Sequence, residues 1–364
     1  MNEKADVKEQ RPIAAMVSSG NAGALSTPWY RGGGLPQGRR AWLDVLFRLQ
    51  SFVGLLVVFV AAIAFSPRRN GVVLFLDPNN IANVVRAVSV IGIIAIGMTF
   101  VILIGGIDLS VGAVMGLAAT GSAALLINSD YGIFATVGVI LAIGLVFGAV
   151  QGWISTSLGI QAFIVTLAGL QIARGLARMW SGGQGIPIAY GDGKNLAPEG
   201  FALLNSRVIN GLVPVPALIF IAVAAIGIFV LHKTKFARHV YAIGGNERAA
   251  RLSGVPVARV KVAVYAIAGL LSALAGIVFA GQLNQGSPNA GIGYELNAIA
   301  AVVIGGTSLM GGSGTVVGTI AGALLLGILN NVLALNNIDA NIQLLTTGIV
   351  IILAVALQSI RRRV

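Results

Sequence analysis

Few side chains here are able to do chemistry, and where they fall says more than how many there are. One carboxylate, Asp108, lies in the run Gly105-Gly106-Ile107-Asp108-Leu109-Ser110-Val111-Gly112, inside a long apolar stretch. An ionisable group at membrane depth is costly, so it faces protein or water and by default marks a functional site. The Gly-Gly pair before it suggests a break between two helical segments. A membrane tolerates such a break only where protein or a cavity satisfies the freed backbone. The competing reading is a short turn at the membrane surface, with Asp108 capping the next helix.

A second polar cluster occupies residues 232–261. It begins basic and continues as Asn246-Glu247-Arg248-Ala249-Ala250-Arg251-Leu252-Ser253-Gly254-Val255-Pro256. Asn246 can cap a helix over 247–252, and Glu247 suits the positive first turn. Gly254 and Pro256 stop that helix. Another helix begins near Val257 and runs into the next apolar span. A connector between spans needs only a few residues, so a short two-ended helix points to a docking element for a partner. The alternative is a surface helix binding anionic lipid.

Nothing else has the spacing of a reaction centre. The two histidines, His232 and His239, both lie in the basic stretch, and the chain has no cysteine. No metal-spaced ligand cluster and no nucleophile–base pair can be read, which argues against an enzyme and against a metal or cofactor bound by this chain.

The surrounding elements are apolar. Of 364 residues, 56% are hydrophobic and 10% charged, and the mean hydropathy is +0.89. Soluble domains carry roughly a quarter charged residues. The fold class is an all-α polytopic membrane protein of about ten transmembrane helices, some broken or re-entrant. Candidate spans are 47–66, 81–104, 107–128, 132–152, 162–180, 213–231, 262–281, 294–311, 314–335 and 342–360. Residues 1–46 read as a disordered cytoplasmic tail with a short surface helix at 40–49. Residues 47–364 form the membrane domain.

The net charge of +12 reflects basic loops rather than nucleic-acid binding. With both termini inside, most Lys and Arg fall in 1–48, 232–261 and 361–364. Arg68, Arg69, Arg86, Arg174, Arg178, Lys194 and Arg207 fall in outer segments or at outer span ends, as the positive-inside rule expects. In an outer loop, Gln282, Asn284, Gln285 and Asn289 read as ordinary solvated residues. Gly112/Gly116, Gly144/Gly148/Gly152 and Gly314/Gly318/Gly322 form smooth stripes for helix packing. There is also a weak internal repeat. Ile104-Gly105-Gly106-Ile107-Asp108-Leu109 recurs as Ile304-Gly305-Gly306-Thr307-Ser308-Leu309. Repeated broken helices in two halves point to a transport pathway.

Several separated motifs carry a resemblance over about residues 50–360. They are Gly97-Met98-Thr99-Phe100-Val101-Ile102, the Asp108 run, Phe163-Ile164-Val165-Thr166-Leu167, Tyr241-Ala242-Ile243-Gly244-Gly245-Asn246-Glu247, Ala249-Ala250-Arg251-Leu252-Ser253-Gly254, and Gly305-Gly306-Thr307-Ser308-Leu309-Met310-Gly311-Gly312. In these the chain resembles the monosaccharide permeases of bacterial ATP-binding-cassette importers, the ribose/xylose/arabinose type. The resemblance implies a multi-pass protein of the bacterial inner membrane, in contact with lipid, whose second copy completes a homodimeric pore. It implies a cytoplasmic ATPase, which holds the ATP and Mg, and a periplasmic sugar-binding protein. ATPase coupling carries over onto Asn246, Glu247, Arg248, Arg251, Leu252, Gly254, Val255 and Pro256. The translocation pathway carries over onto Gly105, Gly106, Asp108, Ser110, Phe163, Thr166, Gly305, Gly306 and Ser308. Trp180-Ser181-Gly182-Gly183-Gln184 looks like the ATPase signature sequence, but the chain has no phosphate-binding Gly-x-x-x-x-Gly-Lys-Ser/Thr loop, so the match is a coincidence.

Two rival readings stay open. One is a secondary transporter whose coupling ion sits on Asp108. The other is a permease of this architecture for branched-chain amino acids. A zwitterion would need charged partners along its route, and the few intramembrane charges favour a neutral, hydroxyl-rich solute that meets a weakly binding pore.

Overall fold

The computed structural model describes residues 50–129 and 131–361. The expectations for the tail 1–46 and its surface helix lie outside the described residues. All ten candidate spans carry a helix. In chain order these are α1 (Gln50–Phe65), α2 (Pro78–Leu103), α3 (Val111–Asn128), α4 (Ile133–Ser157), α5 (Ala162–Ser181) and α6 (Val215–Lys233), then α9 (Val257–Leu283), α10 (Tyr294–Ile304), α11 (Val316–Leu335) and α12 (Ala340–Arg361). Between α6 and α9 lie two short helices, α7 (Lys235–Gly245) and α8 (Glu247–Leu252). Among the described residues, seven helices are long and apolar enough to cross a membrane: α2 to α6, α9 and α11.

Local chemistry sets the ends. Asp77 accepts the Asn79 amide at 2.8 Å and Pro78 opens α2. Thr315 accepts the Gly318 amide at 3.0 Å and opens α11. α7 was not legible in the basic stretch. It is capped by Thr234, which accepts the Ala237 amide at 3.2 Å.

α9 is the hub, packing against α4, α3 and α2. Gly144, Gly148 and Gly152 let α4 lie on it, with Gly148 directly beneath the Tyr265 carbonyl. Gly318 and Gly322 do the same for α11 against the Gly305 and Ala301 carbonyls. Two stripes depart from expectation. Gly314 precedes α11 and packs on Thr307. Gly112 and Gly116 face the turns ahead of α10 as well as helix side chains: Gly112 meets the Gly291 carbonyl and Glu295 of α10, and Gly116 meets the Ala290 carbonyl and Arg174 of α5.

This second departure exposes a correction. The 294–311 span does not cross as one helix, because α10 stops at Ile304 and its 11 residues cover roughly 16 Å of a hydrocarbon core of about 30 Å. Ahead of it, residues 285–293 run along α3 as a two-residue strand followed by turns. Gly286 meets Ala119 and Ala123, then Ala290 meets Gly116, then Gly291 meets Gly112. The residues read as ordinary solvated loop are accordingly packed or bonded. Gln282 is buried, Asn284 accepts the Tyr190 hydroxyl at 2.8 Å, and Gln285-Gly286 pairs with Ile186-Pro187 as a two-residue ladder. Asn289 is exposed and accepts from Arg178.

Candidate functional site

α2 ends because Gly105 takes a left-handed conformation, φ +74°, which costs a glycine nothing. The Gly105 amide bonds the Ile102 carbonyl and the Gly106 amide bonds that of Val101. This crossed pair satisfies carbonyls the helix would otherwise orphan. The chain then turns, and Asp108 Oδ1 accepts both the Ser110 amide, at 2.8 Å, and the Ser110 hydroxyl, at 2.6 Å. Gln151 of α4 donates to the Ser110 hydroxyl at 3.0 Å. Thr166 of α5 donates to the Ile107 carbonyl and accepts the Leu109 amide.

The two readings of Asp108 merge in this geometry. It does build the turn that starts α3, although Ser110 holds the capping position itself. The carboxylate is enclosed by protein: Asp108 is 1% exposed. Gly106 faces the hydroxyl of Tyr265, which lies eight residues into α9, roughly 12 Å along the helix.

The second copy repeats the stop one residue later. Gly306, not Gly305, takes the positive φ of +85°. The Gly306 and Thr307 amides bond the Val303 and Val302 carbonyls. Ser308 Oγ accepts the Met310 amide at 3.2 Å, as Asp108 accepts that of Ser110. The two turns meet, since the Gly312 amide donates to the Leu103 carbonyl at 2.9 Å. Gly244 of α7 is wedged between them, against the Leu103 carbonyl and the Gly312 amide. Tyr241 donates to the Gly314 carbonyl at 2.8 Å.

The short helix expected over 247–252 is α8. Asn246 accepts the Ala249 amide at 2.9 Å, and Gly254, φ +82°, ends it. Glu247 is held by Lys261 at 2.7 Å and Arg251 at 3.2 Å. Partial burial pushes the Glu247 carboxyl up, but these two cations outweigh it and hold the group below its usual range. Arg248, Gly254 and Pro256 are exposed, Val255 is half-buried, and Leu252 is 83% exposed.

A cavity of ≈ 560 Å³ joins this helix to the first turn. Glu247, Arg251 and Lys261 line it together with Gly105, Gly106, Phe163 and Tyr265. Of the residues singled out from sequence, Gly105, Gly106 and Phe163 share this cavity with Glu247 and Arg251, while Asp108, Ser110 and Thr166 are bonded within the first turn and do not line it. Gly305, Gly306 and Ser308 sit in the adjoining turn and do not line the cavity.

Sequence reasoning missed Gln151, Gly244 and Tyr265, because each matters only through a partner distant in the chain. It also placed Arg174 at an outer span end. Arg174 donates to the Pro288 and Ala290 carbonyls at 2.6 and 2.7 Å and feels the charge of Glu295, so it holds the 285–293 segment against α3.

Residues 80–355 match the model of the family described as branched-chain amino acid transport system / permease component. The ribose import permease RbsC of Haemophilus influenzae is 42% identical over 311 residues, covering 85% of this chain and 92% of that protein. That of Bacillus subtilis is 44% identical over 315 residues, covering 86% and 93%. The xylose transport system permease XylH of Escherichia coli K12 is 34% identical over 367 residues, covering 86% and 93%. No solved structure matches the chain. With its paired glycine turns and its capped α8 in place, the chain belongs to the permease family of ATP-binding-cassette importers that includes these ribose and xylose permeases.

Proposed function

We propose that this chain is the multi-pass inner-membrane subunit of an ATP-driven, binding-protein-dependent importer that moves a monosaccharide. It is a transport subunit, and ATP and Mg are held by a separate ATPase. In this reading the face bearing α7 and α8 is cytoplasmic, both termini lie on that side, and a binding protein delivers sugar at the opposite face. Two copies form the pore. The observation that carries the reading is the extent of the likeness: ribose import permeases match over 92–93% of their own length. The branched-chain alternative has only the family description on its side.

The geometry supports a coupling route. The exposed rim of α8, with Arg248 and Leu252, offers a contact for the ATPase. Force on α8 passes through Glu247–Lys261 into α9, and through Gly244 onto the Leu103 carbonyl and the Gly312 amide. Because these contacts are packed backbone on backbone, a rigid shift of α7 and α8 moves both glycine turns together. Asp108, Ser110, Gln151 and Thr166 hold the first turn during that movement, and Phe163 faces the cavity that opens.

Uptake into proteoliposomes tests the reading. Labelled D-ribose or D-xylose should enter only when ATP, the ATPase and the binding protein are all present. Uptake by the permease alone under a proton or sodium gradient would sink it and move Asp108 to the centre of a secondary transporter.

A further inference from the structure

At the end of the bundle away from α8, a second cavity of ≈ 380 Å³ lies between α2, α10, α11 and α12. Its volume falls in the range of about 300–1,000 Å³ usual for small-molecule sites. Five carboxamides line it: Asn83, Asn297, Asn330, Asn331 and Gln343. They come from α2 and from the three successive helices α10, α11 and α12, and the lining contains no charged side chain.

Four of the five are held from behind by one hydrogen bond or a matched pair. Asn83 Oδ1 accepts Arg207 at 2.8 Å. Asn330 Oδ1 accepts the Thr347 hydroxyl at 3.4 Å. Gln343 Nε2 donates to the Ile338 carbonyl at 2.9 Å. Asn331 exchanges two bonds with Asn80, at 2.9 and 3.0 Å. Among the described residues this leaves the amide nitrogens of Asn83 and Asn330, the oxygen of Gln343 and the whole carboxamide of Asn297 unspent. Amides left unpaired beside lipid are costly, so groups set on one cavity must meet water or a polar solute. The remaining wall is aliphatic, including Val88, Ile91 and Leu326. Donors and acceptors beside an apolar wall match a molecule with hydroxyls at its edge and C–H groups on its face. The lack of charge disfavours a zwitterion.

We propose that this cavity is a binding station for a neutral, polyhydroxylated solute crossing the permease. The proposal names a site for the importer reading and rests on it. The chain has no cysteine, so Asn297→Cys and Asn330→Cys each create a single thiol in the full permease. The complex, in membranes, is treated with a water-soluble methanethiosulfonate reagent, alone and with D-ribose, D-xylose, D-glucose, myo-inositol or L-leucine. Both thiols should react, and at least one of the polyols, at saturation, should slow them about tenfold while L-leucine does not. Ile226→Cys, on the exposed side of α6, should stay unreactive. Cavity thiols as inert as the one at position 226, or labelling that no polyol slows, would overturn the proposal, and so would protection by L-leucine. Labelling does not depend on transport, so a complex that moves no sugar would count against the importer reading separately.

Discussion

The turns at Gly105 and Gly306 carry one sequence motif and one helix-stopping device, yet they differ in what surrounds them. In both, a helix closes on a left-handed glycine, and a side-chain oxygen accepts the amide two residues on. In the first, that oxygen belongs to a carboxylate tied through Ser110 to Gln151, and the neighbouring glycines line the cavity shared with α8. In the second, it belongs to a serine, and Gly305, Gly306 and Ser308 do not line that cavity. The shared part of the motif builds the turn. The carboxylate of the first copy adds a polar link through Ser110 to Gln151 of α4.

The contact common to both turns gives the largest expected effect. Gly244→Ala would drive a methyl group into the Leu103 carbonyl and the Gly312 backbone. Because backbone cannot yield as a flexible side chain does, the change should cost more than about 3 kcal/mol. Thermal unfolding of detergent-purified permease should show the loss, and a wild-type melting temperature would mean the turns are not locked through α7. Next comes the difference between the copies. Asp108→Leu removes a buried acceptor and should cost roughly 1–3 kcal/mol. Asp108→Ser should cost less, since Ser308 already makes the equivalent bond, and Ser308→Ala should cost about 1 kcal/mol. If Asp108→Ser folds normally but abolishes uptake, the charge itself serves transport and the two turns are functionally unequal.

The smallest effect separates α8 from both turns. Because Lys261 and Arg251 hold the Glu247 carboxyl below its ordinary value of 4.5, the folded state favours the ionised form. That contribution is complete above pH 4.5 and fades as pH falls through the depressed folded value. Wild-type permease should therefore lose stability on acidification in this window, and Glu247→Gln should flatten that part of the profile. In the reconstituted complex, Glu247→Ala should lower stimulated ATP hydrolysis while the permease stays folded. Unchanged hydrolysis and transport would remove α8 from the coupling route.

Much of the fold was legible where the signal is local. The capped helix at 247–252 is written in Asn246, Glu247 and Gly254, each acting on backbone a few residues away. The glycine stripe Gly144/Gly148/Gly152 announced a close helix contact, although not that its partner would be the backbone around Tyr265. α7 was hidden because its residues read as a basic connector, and its role depends on Gly244 meeting two turns remote in sequence. The packing of residues 285–293 was hidden for a related reason: Gln285 and Asn289 look like loop residues until Arg174 and the small face of α3 are placed beside them.

The sequence alone determined that this is a helical membrane protein with paired glycine breaks and a short helix on a basic connector. Hydropathy, capping and glycine conformation all act over a few residues, so one dimension suffices to read them. Only the tertiary structure decided that a buried Asp108 bonds Ser110, that α8 and the first turn share a cavity, and that five carboxamides from four helices line another. Those arrangements depend on which helices touch and at what height. In a membrane that follows from close packing of small residues, which apolar patterning along the chain does not encode.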